Sequence, residues 1–174
     1  ADKDKAIAFY NSKGFRDAKI LEDSIYKFSE DKINIDISLE EGRKYYYRNI
    51  TFTGNYIHED AVLLAKLGIE KGDVYDKEKL DKRLNYDPQK GDDVSSLYQD
   101  NGYLFFQVTP IEVSVEGDTI DFEMRIYEGK KATINEVIIK GNTRTNEHVV
   151  RRELRTRPGD LFSKQELIRT VREL

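Results

Sequence analysis

Metal centres and acid–base pairs draw on cysteine, histidine and closely spaced carboxylates, and this chain is poor in the first two. Cysteine is absent, and the two histidines of its 174 residues, His58 and His148, stand far apart without ligand spacing. The sequence therefore predicts no metal site, no cofactor and no thiol chemistry. Its 33 acidic residues tend to alternate with apolar ones along strand-like segments, as solvent-facing groups do. No nucleophile–base pair or phosphate loop accompanies them, so the chain does not read as an enzyme.

What remains is the hydrogen-bonding chemistry of the backbone. Residues 104–115 read as one strand carrying Leu104, Phe105, Phe106, Gln107, Val108, Ile111 and Val113, with Pro110 in the middle. A proline inside a strand is tolerated at a sheet edge or a bulge. The apolar phase slips there, from Phe106 and Val108 to Ile111, Val113 and Val115, which predicts a bulge. Such an edge leaves N–H and C=O groups free to take an extended peptide as a further strand. Alternation sends only one of the Phe105 and Phe106 rings inward, and Tyr45, Tyr46 and Tyr47 begin the opposite edge.

A second surface is basic. Residues 131–174 hold 10 Lys and Arg against 6 Asp and Glu, and residues 1–130 hold 19 against 27, so a net −4 chain divides into +4 and −8. Arg151, Arg152 and Arg155, with Arg157, form either a docking face for an acidic partner or a solvated helix face.

The elements that position these residues recur. Ile33-Asn-Ile35-Asp-Ile37-Ser-Leu39-Glu-Glu41-Gly42 returns 87 residues later as Ile120-Asp-Phe122-Glu-Met124-Arg-Ile126-Tyr-Glu128-Gly129. The same shift carries Gly54-Asn55 onto Gly141-Asn142 and Gly72-Asp73-Val74-Tyr75 onto Gly159-Asp160-Leu161-Phe162. Near Gly14 the shift becomes 88 residues. A fixed period of this length marks a repeat protein.

The middle copy reads as a strand over 45–53, then a helix over 59–67 with Val62, Leu63 and Leu67 on one face. The third copy repeats that face with Val149, Val150 and Leu154. A second helix opens at an Asp76 N-cap and breaks over residues 86–92, around Pro88 and Gly91. Two strands follow, 104–115 and 119–127, joined by the turn Glu116-Gly117-Asp118. In the last of them Ile120, Phe122, Met124 and Ile126 face the helices. A right-handed crossover plus a terminal hairpin gives an α+β unit, β-α-α-β-β, whose mixed three-stranded sheet has order 1-3-2 on two helices.

This unit, with its Gly-Asn strand exit, Gly-Asp-x-aromatic helix entry, Tyr98-x-x-x-Gly102-Tyr103 end and terminal Glu-Gly, resembles the POTRA repeat. The resemblance divides the chain into the C-terminal part of one module (1–43), a complete module (44–130) and the N-terminal part of the next (131–174), a piece of a longer protein. It implies the periplasmic arm of a Gram-negative outer-membrane protein that assembles β-barrels. Its partners would be unfolded outer-membrane proteins and accessory lipoproteins, and the whole protein would continue into a C-terminal barrel. The arm of another barrel translocon, for two-partner secretion, autotransporter assembly or organellar import, is the alternative.

The links at Gly42 and Gly129 are short, which limits freedom between modules and makes those glycines the hinge positions. Open half-modules at the two ends suggest head-to-tail self-association. A KH-type nucleic-acid module, which shares the β-α-α-β start, is excluded by the spacing and weak charge of Gly68-Ile-Glu-Lys-Gly72 and by the acidic balance. No apolar run is long enough for a spanning helix.

Overall fold

The computed structural model describes residues 2–85 and 91–173. In chain order the elements are α1 (Asp2–Asn11), β1 (Lys19–Ser29), β2 (Lys32–Glu40), β3 (Tyr46–Thr53), α2 (Asp60–Leu67), α3 (Lys77–Asn85), α4 (Val94–Gln99), β4 (Gln107–Glu116), β5 (Thr119–Tyr127), α5 (Glu147–Glu153) and α6 (Lys164–Glu173). β1 and β2 form an antiparallel pair, and β3, β5 and β4 form a three-stranded sheet in that order. The last strand is thus central and β3 and β4 are the edges, as the crossover-plus-hairpin reading requires. α3 and α4 lie on either side of the expected helix break, of which residues 86–90 fall outside the described residues.

The chain forms two compact units, one of residues 1–51, 69–81 and 111–123, the other of residues 52–68, 82–110 and 124–174. An aromatic cluster holds the first. The Tyr47 ring lies 5.6 Å from both Tyr75 and Phe122, and Tyr75 stacks on Phe122 at 6.0 Å. Tyr47 also donates its hydroxyl to the Asp76 carbonyl (3.1 Å). Asp76 caps α3 as expected, its Oδ1 accepting from the Lys79 N–H (2.9 Å).

Burial pushes the phenols of Tyr47 and Tyr75 up, Tyr75 to about 12. A folded-state value above the unfolded one of about 10 favours the native state below pH 10, and this contribution disappears as pH rises through the folded value. We therefore expect stability to fall above about pH 10, with phenolate absorbance from these rings appearing together with loss of near-ultraviolet dichroism. Their titration near pH 10 in a fully folded chain would contradict that.

In the second unit Leu63, Leu67, Leu84, Val94, Tyr98, Phe106 and Met124 are buried. Val62 is 43% exposed, contrary to the expected face: α2 buries Leu63 and Leu67, four residues apart, and Val62 lies off that narrow stripe. Asp93 is buried and caps α4, accepting from the N–H (2.7 Å) and hydroxyl (2.9 Å) of Ser96. Arg83 closes the other end of α2, donating to the Leu67 carbonyl (2.9 Å).

The third copy does not repeat the first strand of the middle copy as a paired element. Over residues 133–140 the only ladder contact is an isolated bridge from Thr133 to Leu161. No neighbouring strand lies beside this segment among the described residues, and a strand without a ladder has no cooperative support.

Candidate functional site

The repeat period reappears in the main chain, at two joints built alike. At the first, the Tyr45 N–H donates to the Gly14 carbonyl (2.9 Å) and the Tyr75 N–H to the Tyr45 carbonyl (2.9 Å). At the second, the Ala132 N–H donates to Gly102 (2.8 Å) and the Phe162 N–H to Ala132 (2.9 Å). Each is flanked by an isolated bridge, Tyr46 to Val74 and Thr133 to Leu161. A Cβ on Gly14 would meet Val74 Cγ1 at 2.7 Å. The joints are therefore close main-chain packings. Gly42 and Gly129 occupy matching places with φ of 74° and 71°, against Asp17 and Phe105 respectively.

Side chains distinguish the joints. At the first, the Arg16 guanidinium grips Glu112 of β4 with two bonds, Nε to Oε1 (3.1 Å) and Nη2 to Oε2 (2.5 Å). Arg16 Nη1 also donates to Asp17 (2.8 Å), whose other oxygen accepts the Tyr45 hydroxyl (2.7 Å). Hydrogen bonding to Glu112 raises the Arg16 pKa. The 88-residue shift puts Leu104 and Phe105 where Arg16 and Asp17 stand. The second joint relies instead on Asp100 accepting from the Gln165 N–H (2.8 Å) and on Lys164 donating to Ser96 (3.0 Å). Sequence reading passed over Arg16; its signal was the Arg-Asp pair at a position that is Leu-Phe in the next copy.

The predicted edge residues separate into two groups. Leu104, Phe105 and Phe106 precede β4, contrary to the expected strand start, because the Phe106 N–H turns back to the Tyr103 carbonyl (3.1 Å). Phe106 is 5% exposed and Phe105 62%, the one-in, one-out arrangement expected. Gln107 is exposed, Val108 is buried, Ile111 is half-buried and Val113 is 52% exposed. The site that the structure brings together is thus β4 itself, with Val113 and Val115 uncovered. Both of its carboxylates are paired. Besides Glu112 with Arg16, Glu116 binds Arg48, which also holds Asp121 through Nε (2.8 Å) and Nη2 (2.5 Å). Hydrogen bonding to Arg48 keeps Glu116 and Asp121 below the usual carboxylate range.

Arg151, Arg152 and Arg155 are exposed on and after α5. Arg151 donates to Glu147 (2.7 Å) and Arg152 to Glu153 (3.2 Å). Arg152, Arg155 and Arg157 line one cleft together with Glu153 and Asp160, so part of the basic charge is already answered locally. Among the described residues no group of acidic residues and histidines has metal-site geometry, and no helix is long and apolar enough to cross a membrane.

A family model described as POTRA, surface antigen variable number repeat, matches residues 45–129 and 132–174. The chain belongs to the POTRA family. It is 30% identical over 176 residues to the outer membrane protein assembly factor BamA of Nitratidesulfovibrio vulgaris, covering 99% of this chain and 22% of that protein. To BamA of Neisseria meningitidis it is 29% identical, covering 88% of this chain and 19% of that protein. The chain thus spans about a fifth of these relatives. A crystal structure of Haemophilus influenzae BamA POTRA3-5 matches 99% of this chain and 66% of that one with a TM-score of 0.77 at 18% identity, a likeness of fold. These POTRA repeats are therefore similar to those of outer-membrane protein assembly factors.

Proposed function

We propose that these POTRA modules form part of the periplasmic arm of an outer-membrane β-barrel assembly protein and hold unfolded barrel proteins by strand addition at β4. The observation that carries this is an edge strand with exposed Val113 and Val115 and no unpaired carboxylate, in a chain whose relatives are named as assembly factors. The complete module is residues 44–130, flanked by parts of two others. Gly42 and Gly129 are the points about which neighbouring modules turn, and the whole protein continues into a membrane barrel. The face around Arg152 and Arg155 receives an acidic segment of an accessory lipoprotein.

Main-chain pairing suits a carrier of many sequences because it depends little on the client's side chains. With a net ~0.5–1.5 kcal/mol per hydrogen bond, four bonds give an affinity near ~1 mM. One module is weak, and tandem modules raise the effective concentration of sites along the arm. The test is an NMR titration with a peptide from a β-barrel strand. Amide shifts should concentrate in residues 107–116, and Val113→Lys, which places a charge on the edge, should weaken binding several-fold in a folded chain. Shifts that leave residues 107–116 untouched would count against this edge.

A further inference from the structure

An edge strand is ordinarily guarded against pairing by charge, because an incoming strand strips water from an ionised side chain and leaves it unanswered. β4 has two such side chains, Glu112 and Glu116, and each is held by an arginine from outside the strand. Arg48 belongs to β3 of the same sheet. Arg16 does not: it sits in the turn between α1 and β1, before the first joint, and reaches Glu112 across 96 residues of sequence. Its grip is the two-pronged guanidinium–carboxylate arrangement, the strongest form of this contact. Its place is set by the joint, through the Tyr45 N–H on the Gly14 carbonyl, the Tyr45 hydroxyl on Asp17, and the guanidinium lying 5.6 Å from the Tyr45 ring.

We propose that Arg16 licenses the β4 edge: the preceding module disarms the Glu112 guard, so the strand accepts an extended peptide only while the first joint is closed. The inference rests on the client reading above and adds its control. Glu112 alone repels a covering strand, whereas the Arg16–Glu112 pair can be covered with its charges mutually satisfied. Arg16 is a positioning residue that need not touch the peptide. The surface that takes clients is therefore completed by two modules, and a lone module would present its edge with the guard armed.

The experiment is a double-mutant cycle on the full 174-residue chain, reading peptide affinity from β4 amide shifts for wild type, Arg16→Gln, Glu112→Gln and the double variant. Each spectrum without peptide verifies the fold. Arg16→Gln should bind about fivefold or more weakly, while Glu112→Gln and the double variant bind like wild type, since removing the guard makes Arg16 dispensable. Arg16→Gln binding as well as or better than wild type would overturn the licence while leaving the edge a client site. A double variant as weak as Arg16→Gln would also overturn it, because Arg16 would then act other than through Glu112. If no variant, Glu112→Gln included, shows shifts in β4 at millimolar peptide, the client reading itself falls and the licence with it.

Discussion

Gly54→Ala is expected to cost about 3 kcal/mol or more, enough to unfold a marginal module, with the midpoint of urea denaturation as the measurement. Gly54 has φ 84°, and a Cβ there would stand 2.2 Å from the Ile126 carbonyl oxygen and 3.2 Å from its carbon. The obstacle is backbone of β5, the central strand, so relief requires shifting the ladder that organises the sheet. The left-handed conformation adds about 1–2 kcal/mol for any residue with a Cβ. The chain carries its own controls. Gly141, one period later, has φ 86°, and Gly117 in the β4–β5 turn has φ 63°; neither has an atom within 4 Å of the added Cβ. Alanine at either should cost only the conformational part, about 1–2 kcal/mol. Equal losses at Gly54 and Gly141 would show that the approach to Ile126 contributes nothing.

Tyr98→Ala should be comparably severe, about 3–5 kcal/mol. Tyr98 is wholly buried. Its ring stacks on Phe106 at 4.1 Å and makes a T-shaped contact with His58 at 4.8 Å, so truncation opens a cavity among aromatic neighbours. Tyr98→Phe separates packing from polarity. It keeps the ring and removes only the hydroxyl bond to Glu128 (3.2 Å), whose Oε1 still accepts from the Ile57 N–H (2.9 Å). About 1–2 kcal/mol is expected, with amide shifts in residues 54–58 where Glu128 anchors the loop. A Phe variant as unstable as the Ala variant would place the weight on the hydrogen bond instead.

Much of the architecture was legible because it is written twice. The alternation of Ile120, Phe122, Met124 and Ile126 placed four side chains on one face, and all four are buried. The Asp76 cap, the β4–β5 turn and the central position of β5 followed from local rules about helix starts, short loops and crossover hand. Val62 and the start of β4 were misplaced for one reason. Periodicity gives the spacing of apolar residues, but which of several apolar residues is covered depends on what packs against them. Leu104 and Phe105 continue the apolar pattern of β4 in sequence, yet in space they belong to the turn at the second joint.

The candidate site divides along the same line. Pro110 announced an edge strand, and that is a property of the segment itself. That Glu112 is answered by Arg16 could not be read from either segment, since nothing in a residue's type indicates a partner 96 positions away. By itself, the sequence determined the repeat, the α+β unit, the strand order and the buried face of β5, because these rest on periodicity and local backbone preference. Only the tertiary structure decided the ionic first joint, the pairing of both β4 carboxylates and the Tyr98–Glu128 anchor, because each is a meeting of distant segments whose energy depends on distance and direction.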